Sequence, residues 1–161
     1  MLRLFLAALS LAACGAPRPA APSFKVSQSF SCPYPAQTGV MTIEADGKAA
    51  LNVFEGFGPS PTSRSTRQKK RLAPKDVREL SAVLARSDYK SMPGRAESFP
   101  PRHDVSDACS RTLEISSGGV VKSISYSDGD VPDDLARLVK EIDGIADRVP
   151  WEEDAYPWEK R

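Results

Sequence analysis

The sequence predicts a small α+β domain: an antiparallel sheet with two helices packed on one face, in the order strands, helix, hairpin, helix. Three observations carry this. Short runs alternate apolar and polar residues, two longer runs repeat apolar residues at helical spacing, and glycine-bearing turn pairs fall between strand runs.

Each element has a local reason. Phe24, Val26 and Phe30 alternate with Lys25, Ser27, Gln28 and Ser29, a strand with one buried face ending near Cys32. Cys32-Pro33-Tyr34-Pro35 breaks it, and Val40-Met41-Thr42-Ile43-Glu44 resumes strand composition. Asp46-Gly47 is a hairpin signal, because that pair adopts positive φ cheaply. Residues 49–54 return with Leu51 and Val53 on one face. Residues 56–66 are rich in Gly, Pro and Ser and predict a loop, and Arg67-Gln68-Lys69-Lys70-Arg71 adds a basic run. That run reads first as a solvated hairpin end or helix approach. Its functional readings are a contact with anionic lipid or an acidic partner, or a protease-sensitive loop.

Pro74 suits a first helical turn, and Val77, Leu80, Val83 and Leu84 form one helical face. This helix should end before Met92-Pro93-Gly94. Residues 96–105 form a proline-broken loop. Residues 111–116 read as a strand with Leu113 and Ile115 inward, Gly118-Gly119 as a hairpin turn, and residues 120–127 as its return with Val120, Ile124 and Tyr126 on one face. Asp128-Gly129-Asp130 ends it. Pro132, Asp133 and Asp134 open a second helix, since acids favour its positive end. Its stripe of Leu135, Leu138, Val139, Ile142, Ile145 and Val149 runs to about Arg148. Gly144 within it costs about 1 kcal/mol against Ala, which close packing on the sheet would explain.

The N-terminus addresses the chain. Arg3, an apolar run over residues 4–11 and small residues before Cys14 make a secretory signal peptide of residues 1–13. The apolar run is far short of the roughly 20 residues that span a bilayer. Leu11-Ala12-Ala13-Cys14 resembles the lipobox of bacterial lipoproteins. The resemblance implies that Cys14 becomes the N-terminus and carries a diacylglycerol on sulfur and a fatty acyl group such as palmitate on nitrogen. Each buried methylene then contributes about 0.8 kcal/mol to anchoring. Gly15 after the Cys favours the outer membrane, with the domain facing the periplasm. Residues 14–23 carry three prolines and form a semi-rigid linker. The domain proper is expected over residues 24–149, and residues 150–161 form an acidic, aromatic tail: a docking tail, a strap over the domain's own surface or a loose end.

Removing residues 1–13 takes away Arg3, so 21 of the 22 basic residues remain against 21 acidic ones. That balance gives no global attraction to nucleic acid, so the expected partners are the membrane, through the lipid, and an envelope protein. With Cys14 acylated, Cys32 and Cys109 remain as a pair in an oxidising compartment, and two thiols without nearby histidines make a poor zinc cage. The expectation is a disulfide, with two buried or reducible thiols as the alternative. In the entropic account a loop this long is stabilised by roughly 4 kcal/mol.

Candidate chemistry is sparse. The single histidine, His103, sits beside Asp104 in a proline-flanked loop, and a hydrolase reading would pair it with Asp104 and a serine. No Gly-x-Ser-x-Gly elbow selects that serine. Asp104 and Asp107 near Cys109 are acids a Ca²⁺ site would draw on, while Asp128-Gly129-Asp130 reads equally as a turn. No phosphate loop or dinucleotide fingerprint occurs. The expectation is a non-enzymatic domain with no cofactor and no metal.

Leu72-Ala73-Pro74, the helix ending in Ser87-Asp88-Tyr89, the cysteine-containing strand, Gly118-Gly119, Ser125-Tyr126-Ser127-Asp128-Gly129 and Val131-Pro132-Asp133-Asp134-Leu135 together resemble the emfourin type of small secreted bacterial domain. The resemblance covers about half the chain. It implies a proteinaceous inhibitor of thermolysin-like metallopeptidases as the alternative function. The lipid anchor and the cysteine pair depart from the simplest emfourin pattern, so no inhibitory residue carries over. The first expectation is therefore a lipid-anchored envelope protein whose domain binds another protein through the loops at 56–71 and 94–108.

Overall fold

The computed structural model describes residues 23–33, 36–56, 63–94, 109–127 and 131–152. They form six strands and two helices: β1 (Phe24–Cys32), β2 (Gln37–Glu44), β3 (Lys48–Glu55), β4 (Arg64–Arg71), α1 (Pro74–Arg86), β5 (Ser110–Ser117), β6 (Val120–Ser127) and α2 (Asp133–Ala146). The architecture is α+β and mostly sheet.

All six strands pair antiparallel in the order β4-β3-β2-β1-β5-β6. The first four make a meander. The chain then leaves the β4 edge, passes through α1, and returns on the far side of β1 as the β5–β6 hairpin. β1 is thus paired on both sides, with Ser27 opposite both Thr42 and Glu114. The hairpin turns follow the predicted chemistry: φ is 84° at Gly47, 59° at Gly118 and 80° at Gly119.

Strand alternation puts Val26, Met41, Ile43, Leu51, Leu113, Ile115 and Ile124 on one buried face. Leu80, Val83 and Leu84 of α1 and Leu135, Leu138, Ile142 and Ile145 of α2 join them in a single core. Burying one such side chain contributes about 1.5–3 kcal/mol. Gly39 is required here, since a Cβ at that position would collide with the Phe30 ring lying across it. The ends of the two helices are tied by charge: Arg148 Nε lies 2.9 Å from buried Asp76 Oδ1, and its Nη2 lies 2.7 Å from Glu79 Oε2. Past α2 the chain stays attached, with Trp151 Nε1 donating to the Ala146 carbonyl and the Glu152 amide donating to Gln68 Oε1.

Four expectations need correction. Residues 64–71 are not loop but the edge strand β4. An edge strand packs little of itself, and β4 buries only Gln68, so it never needed an apolar stripe. Gln28 is not outward: it shares parity with Val26 and Phe30 and is buried. Gly144 does not pack on the sheet, because it is exposed and a Cβ there would meet nothing within 4 Å. Val120 has the predicted parity but lies at the sheet corner, 45% exposed.

Cys32 and Cys109 form a disulfide. It joins the end of β1 to the residue entering β5, next to the Ser31–Ser110 pair, and spans 77 residues of sequence.

Candidate functional site

A polar cluster lies at the disulfide end of the sheet, in a groove between α2 and the β5–β6 hairpin. The groove encloses about 560 Å³, and its walls include Arg111, Tyr126, Val139, Lys140, Asp143 and Asp147. Strand register builds one side: Arg111 of β5 pairs with Phe30 of β1 and Tyr126 of β6, so guanidinium and phenol sit next to each other on the helix-facing side. Helical spacing builds the other. Val139, Lys140, Asp143 and Asp147 follow one another at intervals of one, three and four residues and so share a flank of α2 and its end.

Gln28 and Asp143 link the two sides. Gln28 Nε2 donates to Asp143 Oδ1 at 2.9 Å, so the one polar side chain that β1 buries is satisfied from α2. Burial pushes the Asp143 carboxyl above its ordinary value. The Gln28 hydrogen bond and the Arg111 charge act against the shift, and Asp147 adds to it. A carboxyl with raised proton affinity, beside a guanidinium, a phenol and apolar walls, suits a groove that grips a polar side chain or a chain terminus. The exposed, bare backbone of Gly144 keeps the groove's helical wall low.

Two further clefts, of about 470 and 500 Å³, flank Phe24 at the opposite end of the sheet. Among the described residues no group of three His, Cys, Asp or Glu side chains is placed to hold a metal ion, and no helix is long and apolar enough to cross a membrane.

Of the residues singled out in the sequence, Cys32 and Cys109 are brought together. Cys14, His103, Asp104, Asp107, Asp128 and Asp130, the loop over 95–108 and residues 153–161 lie outside the described residues. Of the groove residues, Tyr126 and Val139 are legible in the sequence only as members of apolar faces, and Arg111, Lys140, Asp143 and Asp147 carry no motif. The available signal was parity: Gln28 interrupts Phe24, Val26 and Phe30 at an inward position, and a polar residue there demands a partner. No protein-family model matches this chain, and no curated protein sequence does either.

Proposed function

We propose that this chain is a lipid-anchored bacterial envelope protein, held by Cys14 at the outer membrane and facing the periplasm, whose domain binds another protein and performs no chemistry. The groove beside the disulfide is the observation that carries the binding reading. It joins a half-buried polar pair, a guanidinium and apolar walls at the end of the sheet opposite Phe24, where the linker attaches. A domain tethered at Phe24 carries the groove at the end far from its tether. The cysteine pairing supports an oxidising compartment.

Two experiments test the reading separately. Cys14→Ser should shift the protein from the membrane to the soluble envelope fraction, and continued partition with lipid removes the anchor. A photocrosslinking residue at Val139 should capture one envelope protein in cells, and one at Arg78 on α1 should not. Gly144→Phe should abolish the Val139 adduct, because its side chain enters the groove without displacing the core. Adducts of equal yield at both positions, or none at Val139, sink the binding site. If the captured protein is a thermolysin-like metallopeptidase whose activity falls on binding, the reading narrows to an inhibitor.

A further inference from the structure

The sheet has a second face, and its charge is not spread evenly. Alternation along β4 turns Arg67, Lys69 and Arg71 to the side opposite the core, all three exposed. Lys48 of β3 stands opposite Arg71 on the same face, and Lys25 of β1 lies further along the same end. Among the described residues, the acids on this face are Glu44, opposite Lys25, and Glu114 of β5, opposite Ser27, with Asp46 in the turn taking Lys48 at 2.6 Å. Neither Glu44 nor Glu114 pairs with the β4 cations. Arg67 Nε donates to Asn52 Oδ1 at 2.7 Å, and Arg71 Nη1 donates to the Asp46 carbonyl at 3.0 Å. Lys70, which Glu152 neutralises at 3.3 Å, points to the other side. Past Arg67, toward the end of the sheet away from Arg71, the same face exposes Val40 and Phe54 at 38% and 36%.

The end of the sheet that holds Arg71 is also where the linker joins. The Leu72 amide bonds the Gly47 carbonyl at 2.8 Å, and the Ala45 amide bonds the Phe24 carbonyl at 3.0 Å, so Arg71, the β2–β3 turn and the start of β1 share one rim. From β1 to β4 is three strand spacings, about 14 Å. Nine residues, 14–22, precede Ser23, and a chain of nine spans at most about 30 Å, so this rim stays within that reach of an acyl group on Cys14.

We propose that the Arg67–Lys69–Arg71 face of β4, with Val40 and Phe54 past its Arg67 end, seats on the anionic headgroups of the membrane that holds the anchor. This rests on the anchor proposed above. The cations contribute electrostatic attraction that falls off within a Debye length, and Val40 and Phe54 supply apolar area at headgroup depth. Acyl chains and a basic patch then act as two signals for one surface. Docking this way leaves the groove at the disulfide end for the protein partner.

The test uses the chain from residue 14 onward carrying Cys14→Ser, which keeps every described residue and has no lipid of its own. Co-sedimentation with phosphatidylglycerol-containing vesicles should exceed that with pure phosphatidylcholine and should weaken as salt rises. The Arg67→Gln/Lys69→Gln/Arg71→Gln triple should lose tenfold or more. A Lys75→Gln/Arg78→Gln/Lys90→Gln control, which removes the same charge from the other side of the molecule, should stay within twofold. If the triple fails to fold by circular dichroism, Lys69→Gln alone, which breaks no contact, should weaken binding in the same sense. Equal binding to both vesicle types, or equal loss in the control, overturns the proposal. So does failure to bind vesicles together with salt-sensitive, β4-dependent binding to polyglutamate, which would assign the face to an acidic protein. Because the unacylated chain is used, the result is readable whether or not Cys14→Ser fractionation upholds the anchor.

Discussion

The two edges of the sheet solve the same problem differently. Each leaves one row of backbone donors and acceptors without a strand partner, which invites pairing with another chain. β4 carries five basic residues in eight, and its one buried side chain is Gln68. A strand brought alongside it must displace hydrated charge at five of its eight positions. β6 carries a single lysine, buries Ile124 and Tyr126, and exposes Val120 and Val121 at 45% and 64%. Its protection is positional: Gly94, beyond α1, lies close enough that a Cβ there would be 3.9 Å from the Ser123 carbonyl. One edge is guarded by side-chain charge and held by little packing. The other is held by packing and sits next to the disulfide.

The largest effects should come from removing what holds the β6 side. Ile124→Ala should destabilise by about 2–5 kcal/mol, as cavity-forming substitutions of fully buried residues do. Gln68→Leu at the other edge should stay within about 1 kcal/mol, because it removes an amide nitrogen that is buried without a partner along with the acceptor of the Glu152 amide. Urea denaturation reads both, and a larger loss at Gln68 than at Ile124 would break the comparison. Replacing Cys32 and Cys109 together by Ala should cost roughly 2–4 kcal/mol. Hydrogen exchange should then report lost protection in β5 and β6 before β3 and β4.

Midway between the edges, Asp143 gives stability a pH dependence. Its carboxyl is held above the ordinary value of 3.8, so its ionised form is disfavoured in the fold. The stability tied to this group is present below that ordinary value and is lost as pH rises through the raised one. Thermal midpoints should therefore show wild type falling relative to Asp143→Asn on going from acid to neutral pH. The Asn variant still offers an oxygen to Gln28 and should lack this component. A difference that grows as the pH is lowered reverses the sign and removes burial as the dominant cause.

The smallest effects should be on association. Lys69→Val with Arg71→Val leaves the core untouched and should make β4 sticky, seen as concentration-dependent oligomers in sedimentation. Val121→Lys on β6 should change stability by under about 0.5 kcal/mol and only lower any residual self-association. If Val121→Lys changes the oligomeric state and the β4 pair does not, the charge guard is on the wrong edge.

How legible each region was follows from the same contrast. β1, β2, β3, β5 and β6 pack an inward face against the core, so their apolar parity shows in the sequence, and Asp46-Gly47 and Gly118-Gly119 mark their turns. The two helices show for the same reason through Leu80, Val83 and Leu84 and through Leu135, Leu138, Ile142 and Ile145. β4 was illegible because an edge strand with one buried residue has no pattern to display. The groove was illegible because its walls come from β5, β6 and α2, and Asp143 of its wall bonds Gln28 across 115 residues of sequence. Gln28 did carry a signal, in that its position has inward parity, but parity alone cannot say which partner satisfies it.

By itself, the sequence determined the number and type of most elements, the turns and the composition of the core, because hydrophobic periodicity and positive-φ glycines act over a few residues. The cysteine count pointed to the disulfide by arithmetic, and the structure brought the two sulfurs together. The strand order β4-β3-β2-β1-β5-β6, the use of a basic run as a protective edge, the Gln28–Asp143 bond and the raised proton affinity of Asp143 were decided only in three dimensions. Each depends on which distant groups share a low-dielectric space or a sheet edge, and local sequence does not encode that proximity.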